Sequence, residues 1–437
     1  MRQLNILFLF VLAIFTTPIR AASTENTYAY LTQLPTGDLQ LNRIDPLHPD
    51  MTLSPISISI PAHYTVFQGV PSPNGQQIAM WLTGEGNFEL YQYDVAKNTI
   101  FKVKQIPSYD TSDMYDYRIM TPRWSPDSQY IAFHIFEGKF ASIYLFSIGS
   151  QSLKIIDSGT THDSLPLIYP IALSWSEDSA YLAVVESDCY NLLCSNDIRA
   201  LRISDSTKIA EVKIQGTICE VQWSPDNHRI SFAQECDYTA ILYSSDVYIW
   251  DLAQAKVNRL TQLTSSSSET WNETYATIRA TTWYDADTLL IGTASAKLSQ
   301  PAKNITLVET AIYRPEIGRV AKLSDEVGVG WARNTQSNEF AYFSSSVNGL
   351  DALSFTFTHE VIKIATFDGA TLSVTQQINR PQMFDWSLSW SMNGRLIAFS
   401  AINPQRYLFL DKTTGKTTEF EPPVKDYTTV GWLDLSP

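Results

Sequence analysis

The sequence predicts an all-β ring of eight four-stranded blades, a β-propeller. Three observations carry this. A Trp-led turn recurs about every 50 residues, the composition is rich in strand-forming aromatics, and each chain end lacks what the other supplies.

The repeat is clearest in Trp124-Ser125-Pro126-Asp127, Trp175-Ser176-Glu177-Asp178 and Trp223-Ser224-Pro225-Asp226. Weaker copies are Trp283-Tyr284-Asp285, Trp331-Ala332-Arg333-Asn334 and Trp390-Ser391-Met392-Asn393-Gly394. Pro71-Ser72-Pro73-Asn74-Gly75 precedes them, with Pro71 in the Trp place, and Gly431-Trp432-Leu433-Asp434 follows. Neighbouring copies lie 42 to 60 residues apart, a blade period. After each turn comes a short apolar run such as 131–135 or 230–233, then a second such as Val247-Tyr248-Ile249-Trp250-Asp251, then a weaker third such as 257–261. With the strand before the turn these make four strands, A to D. Pro, Asp, Asn and Gly set the tight A–B turn. The runs are of strand length and lack helical periodicity.

The ends complement each other. Residues 27–32, 38–45 and 51–60 read as strands B, C and D with no A before them. The last turn, at Trp432, has a strand A before it and almost no chain after it. The expected closing blade therefore combines residues 27–60 with 425–433, with the C-terminal strand pairing around residues 28–31 and leaving no unpaired edge at the seam. Seven blades, with Trp432 in a tail, is the alternative.

Ahead of the ring, residue Arg2, the apolar run 4–15 and the small residues Ala21, Ala22 and Ser23 read as a secretory signal peptide over 1–22. Residues 23–437 then form a single exported domain, periplasmic or extracellular, with no membrane span after cleavage. The net charge of −14 leaves no basic footprint for nucleic acid. At 44% hydrophobic and 17% charged residues the chain is no disordered polyelectrolyte.

The four cysteines, Cys189, Cys194, Cys219 and Cys236, form an even set in an exported chain and read as disulfides. All fall toward the face that carries the B–C and D–A connections. Of three possible pairings the local ones are favoured, Cys189–Cys194 with Cys219–Cys236. A four-Cys zinc site would need tighter spacing, and no metal or other cofactor is expected.

The Trp-Ser-Pro-Asp turns at 124–127 and 223–226, each followed by a strand like Ile131-Ala132-Phe133, Ile230-Ser231-Phe232 or Ile397-Ala398-Phe399, resemble the TolB-type, WD-like β-propeller repeat family. The resemblance covers essentially the whole chain after the signal peptide and implies a fold, not an activity. It departs from TolB itself, which carries an α/β domain before a six-bladed propeller; no such domain fits ahead of residue 71. Peptidase members of the family carry their nucleophile in a G-x-S-x-G elbow, which is absent here.

Function must come from local chemistry. The A–B turns are short, whereas 105–120, 158–170, 187–197, 235–246, 264–278, 294–308 and 344–359 read as long B–C and D–A loops, all on one face. Tyr109, Asp110, Asp113, Tyr115, Asp116 and Tyr117 crowd one of them, and Trp271 and Tyr275 another. These are the candidate binding residues, because rigid scaffolds display binding groups on loops and Tyr suits half-wet interfaces. No catalytic set is legible. The expected role is a monomeric binding scaffold for a protein or a cell-envelope or extracellular polymer. A hydrolase or lyase drawing residues from several blades around the channel is the alternative. The sequons Asn272-Glu273-Thr274 and Asn304-Ile305-Thr306 fall in the same connections.

Overall fold

A strand that is apolar along its whole length, rather than at every second residue, needs a neighbour on both faces. Ile78-Ala79-Met80-Trp81-Leu82 is such a run, and all five side chains are fully buried. The computed structural model describes residues 27–49, 53–107, 121–137, 140–160, 172–190, 193–215, 218–234, 246–262, 274–299, 302–351, 354–379, 388–402, 405–424 and 427–434. Among the described residues, 32 strands form eight antiparallel sheets of four, and there is no helix. The fold is an eight-bladed β-propeller.

Blade 1 is the composite one: Thr428–Leu433 as strand A, then Thr27–Gln33, Leu39–Ile44 and Ile56–Ile58 as B, C and D. Strand A pairs antiparallel with strand B from Thr27↔Leu433 and Tyr28↔Trp432 to Leu31↔Thr428. This is the expected closure, and it leaves no place for the seven-bladed alternative. Blades 2 to 8 follow in chain order. Their B strands are Gln77–Gly84, Tyr130–Glu137, Tyr181–Tyr190, Arg229–Gln234, Thr288–Ser299, Glu339–Asp351 and Leu396–Ile402.

The core is not one mass but a set of apolar clusters between neighbouring sheets. In blade 1, Tyr28 and Tyr30 turn toward Leu396, Tyr407 and Phe409 of blade 8, while Ala29 and Leu31 turn toward Ile78, Met80 and Tyr93 of blade 2. The period-2 alternation of a strand thus sends successive residues to opposite interfaces. Each large side chain buried this way contributes about 1.5–3 kcal/mol. Strand D is the outer edge and shows the contrast. In blade 7, Leu372–Asn379 is exposed or half-exposed throughout, which is why the fourth run of each repeat reads weakly.

The recurrent Trp staples blade to blade. The indole N–H of Trp124 donates to the Val70 carbonyl (3.0 Å), that of Trp175 to Arg123 (3.1 Å), that of Trp223 to Ser174 (2.9 Å) and that of Trp432 to Ser389 (3.2 Å). In each case the acceptor is the residue just before the motif in the preceding blade. Trp283 reaches its neighbour through the Ser231 hydroxyl (2.9 Å), which lies 3.4 Å from the Gln222 carbonyl. These links join A strand to A strand, so strand A surrounds the hub. Pro71 has no such donor, and blades 1 and 2 are linked instead by the Asp434 amide donating to the Gly75 carbonyl (3.1 Å).

The A–B turn satisfies itself. The Ser125 hydroxyl donates to Asp127 Oδ1 (2.5 Å) and accepts from the Tyr130 amide (2.9 Å), while Asp127 Oδ1 accepts from the Gln129 amide (3.0 Å). The fourth turn residue adopts positive φ: Ser128 (61°), Ser179 (62°), Asn227 (60°), Gly75 (67°) and Gly394 (66°). At Gly75 a side chain is also blocked, since a Cβ would lie 2.4 Å from the Asp434 amide nitrogen.

Two readings need correction. In blade 7 the turn motif is two residues later than Trp331. Arg333 pairs with Phe340 as Trp124 pairs with Ile131, and the Asn334 amide donates to Glu339 as that of Ser125 does to Tyr130. A bulge between Val329 and Ala332, with Gly330 at φ 62°, displaces the Trp; Trp331 stacks on Tyr342 instead, centroids 4.3 Å apart. Second, three supposed loops are largely strand. Residues 187–197 lie in a hairpin of Tyr181–Tyr190 with Leu193–Arg202, residues 294–308 in one of Thr288–Ser299 with Ala302–Arg314, and residues 344–359 in one of Glu339–Asp351 with Ser354–Phe367. The sequon residue Asn304 is likewise on a strand, paired with Lys297.

Candidate functional site

The two faces of the ring differ in kind. On the A–B face the turns close on their own backbone. On the opposite face, hairpins of blades 4, 6 and 7 run on past their flanking strands. In blade 7, strand A reaches only to Val327, paired with Ser345, while the B–C hairpin continues to Asp351 and Ser354. Six residues of strand are about 20 Å of ribbon. In blade 6 three strands extend together, with Thr274 paired to Leu298 and Ser299 to Ala302. The ribbons raise one side of the B–C/D–A face.

Of the sequence candidates, Tyr109, Asp110, Asp113, Tyr115, Asp116, Tyr117 and Trp271 lie outside the described residues. Tyr275 is not on a loop: it is the second residue of strand A of blade 6 (Thr274–Asp285), paired with Lys297. Cys189 and Cys194 stand directly opposite one another near the tip of the blade 4 hairpin. Cys219 is the second residue of strand A of blade 5 (Ile218–Trp223), and Cys236 lies outside the described residues.

Beneath this face lies a belt of carboxylates that single-residue motifs do not reveal. Glu89 in blade 2 is 2% exposed and bonded to Lys102 (2.7 Å) and to the Tyr91 hydroxyl (2.5 Å). Burial alone raises its pKa, but these partners outweigh it and hold the carboxyl below its usual value. Asp246 pairs with Arg259 in blade 5, Glu309 with Arg319 in a two-point contact (2.8 and 2.6 Å) in blade 6, and Glu326 with Lys363 in blade 7.

The junction of blades 3 and 4 is built differently. Arg199 reaches Asp157 of blade 3 (2.9 Å) and Glu186 of its own blade, and His134 of blade 3, only 1% exposed, feels the same guanidinium. One cation faces two acids. Burial therefore raises the Asp157 and Glu186 pKa values, with Arg199 offsetting only part of it. Burial, then Arg199, presses His134 down to about 3, so it is neutral at pH 7. The sequence signal was there: a His inside Ile131-Ala132-Phe133-His134-Ile135, and an Arg among apolar neighbours at 198–201.

The hub is also polar on this side. Gln68 Nε2 donates to the Thr121 hydroxyl (2.9 Å), and Gln222 Nε2 to the Thr281 carbonyl (3.2 Å), each bridging adjacent blades. Arg123 is reached by solvent yet flanked by protein, and this desolvation lowers its basicity. Phe67, 58% exposed, meets Phe88 edge-on. Among the described residues, no group of three or more His, Cys, Asp or Glu is placed to hold a metal ion. No helix among them is long and apolar enough to cross a membrane.

No family profile matches the chain, and no curated protein matches it. Solved structures do. Dihydro-heme d1 dehydrogenase NirN in complex with DHE is similar at 11% identity and a TM-score of 0.53, over 95% of this chain and 76% of that one. TolB from Acinetobacter baumannii is similar at 13% identity and a TM-score of 0.39, over 92% and 81%. Oligogalacturonate lyase from Vibrio parahaemolyticus is similar at 11% and 0.43, over 86% and 94%. At these identities the likeness is one of fold, and no family assignment follows from it.

Proposed function

We propose that this protein is an exported binding scaffold whose B–C/D–A face engages a protein or a cell-envelope or extracellular polymer. The supporting observation is the asymmetry of the two faces: self-satisfied turns on one, ribbons of blades 4, 6 and 7 projecting beyond the ring on the other. A ribbon that runs on past its flanking strand leaves one edge without a paired strand and so offers edge and surface to a partner. The disulfide reading fits this face. Cys189 and Cys194 are opposed across an antiparallel ladder, where Cα atoms are about 4.5–5.5 Å apart, within the span a disulfide needs. Such a bond would clamp the ribbon of blade 4.

The enzymatic alternative has its best support at the blade 3–4 junction, where acids with raised pKa values meet an Arg and a His. Those groups are mutually engaged and nearly closed to solvent, the pattern of a structural charge cluster.

Crosslinking of the tagged mature chain in its native envelope or secretome, mapped by mass spectrometry, tests the proposal. Crosslinks should concentrate on the connections and ribbons between residues 105 and 360. Crosslinks centred on the A–B turns at 125–128 and 224–227 would refute the choice of face. Tyr115→Ala, Tyr117→Ala and Trp271→Ala should weaken capture with unchanged melting; loss of folding would make them packing residues.

A further inference from the structure

A cleft lies on the other face, between the outer strands of blades 2 and 3. In blade 2, strand B (Gln77–Gly84) pairs with strand C (Asn87–Asp94), and C with strand D (Thr99–Pro107). The register aligns Gln77, Asp94 and Thr99 in one row and Ala79, Gln92 and Phe101 two residues on. Facing residues and residues two apart share a side of the sheet, so all six turn toward blade 3. There Phe101 stacks on Phe146, centroids 5.7 Å apart and planes 20° from parallel. Beyond that stack the sheets part into a cleft of about 430 Å³, closed on the far side by Ile148, Gly149 and Gln151 of the blade 3 C–D turn. The volume lies within the range of small-molecule sites, about 300–1,000 Å³.

The polar wall is unfinished. Gln92 is 6% exposed, and its only side-chain hydrogen bond is a long one, Nε2 to Gln77 Oε1 at 3.3 Å. That leaves Gln92 Oε1 and Gln77 Nε2 without a protein partner among the described residues. Turning both amides over leaves the same remainder, one N–H donor and one C=O acceptor side by side. Both residues line the cleft, so it is suited to a ligand or water that donates and accepts at once. Asp94 adds acceptor oxygens but no net charge, because Lys97 sits 2.7 Å away. Phe101 and Ile148 supply an apolar side.

We infer that this cleft binds a neutral hexopyranose unit of a glycan. A sugar ring offers what the walls lack. Its hydroxyls donate and accept together, its C–H face packs on an aromatic or aliphatic wall, and it carries no charge that the Asp94–Lys97 pair would have to answer.

The test uses the purified full mature chain. Maltotriose, cellotriose and triacetylchitotriose are titrated by calorimetry and by saturation-transfer NMR up to about 10 mM, where even a weak site with about −3 to −4 kcal/mol is read. At least one should bind saturably. Gln92→Leu, which keeps volume and removes the amide, and Gln77→Ala, at a half-exposed position, should each weaken it about three- to tenfold, the worth of one hydrogen bond. Both variants should keep the parent melting temperature. Retention on amylose, cellulose or chitin separates a polymer surface from a free oligosaccharide as the source. Absence of saturable binding by all three probes overturns the inference. So does affinity unchanged in both variants, or tighter binding of galacturonic acid or glucosamine than of the neutral sugars. The site is on the face opposite the ribbons, so its failure leaves the proposed function untouched.

Discussion

Trp432 is where the two chain ends are held, and its removal should cost more than that of the half-exposed Trp175. The side chain is 6% exposed, packs edge-on against Tyr28 (5.2 Å, 85°) and at 6.0 Å from Phe409, and its indole N–H lies 3.2 Å from the Ser389 carbonyl and 3.1 Å from its hydroxyl. Trp432→Ala loses the buried ring and leaves a cavity, about 3–5 kcal/mol. Trp432→Phe keeps most of the ring and loses the hydrogen bond, about 1 kcal/mol. The comparison is Trp175, whose indole makes the same staple but at a half-exposed position stacked on Tyr130 (6.3 Å). Trp175→Ala should cost less, about 1–3 kcal/mol. The assay is urea unfolding of parent and variants followed by far-UV circular dichroism, with unfolding rates measured alongside. The closing strand joins the two chain ends, so Trp432→Ala should also speed unfolding more than Trp175→Ala does. If Trp432→Ala and Trp175→Ala shift the midpoint equally, the seam is not the weak point of the ring and the reasoning fails.

Gly75→Ala should destabilise by about 1–3 kcal/mol, from positive φ and a Cβ driven against the Asp434 amide, whereas Gly37→Ala, at positive φ with open space around it, should cost about 1 kcal/mol; thermal melts read the difference. Arg199→Met leaves two buried acids without their cation and should cost about 3–5 kcal/mol at pH 7. The loss should shrink as pH falls: the folded-state pKa values of Asp157 and Glu186 are raised, so the folded state takes up protons before the unfolded chain does, and strain grows as pH rises through those values. Glu186→Gln should be neutral or stabilising at pH 7, since Asp157 still answers Arg199; a loss above about 2 kcal/mol would mean the second charge is needed. Asp411 has the opposite sign. Arg395 above all, with the turn donors of residues 413 and 414, holds its carboxyl at about 2, so its contribution is whole above about pH 4 and drains away as pH falls toward 2. Arg395→Met, removing a half-exposed partner, should flatten that acid limb and cost about 1 kcal/mol at pH 7.

The ring was legible because its energetics repeat. Trp124, Trp175, Trp223 and Trp432 each make the same bond to the preceding blade, and Ser125, Ser176 and Ser224 each close the same turn, so the physical demand appears as a spelled motif. The demand at Arg333 is met by a bulge and an Asn334 side chain bonded to the Gly394 carbonyl (2.9 Å), and there the spelling misled by two residues. The charge clusters were not legible for a related reason. Asp157, Glu186 and Arg199 come together from two blades, and nothing local to any of them states which neighbour it will face. The Gln77–Gln92 cleft is the same case, made visible only by the register of three strands.

The extended hairpins were read as loops because the apolar signal of a blade strand comes from its neighbours on both sides. Strand A of blade 7 begins only at Val327, opposite Ser345; beyond that pair strand B goes on as Ser346-Val347-Asn348-Gly349-Leu350-Asp351, where Val347 still packs on the core cluster and the continuous apolar run is gone. The backbone ladder persists, since each antiparallel pair still satisfies its N–H and C=O groups, but the continuous apolar run of a strand packed on both faces ends with the ring. The segment nonetheless stays paired out to Asp351↔Ser354, through register shifts after Ser344 and Val347, and is held there by its ladder. An isolated two-stranded ribbon is marginally stable in water. A partner laid against such a ribbon would add the missing surface, so the binding partner should order it: amide exchange at residues 346–359 should slow on complex formation while the A–B turns at 125–128 stay unchanged. Equal protection at both places, or none at the ribbon, would remove the ribbons from the proposed interface and leave the connections alone to carry it.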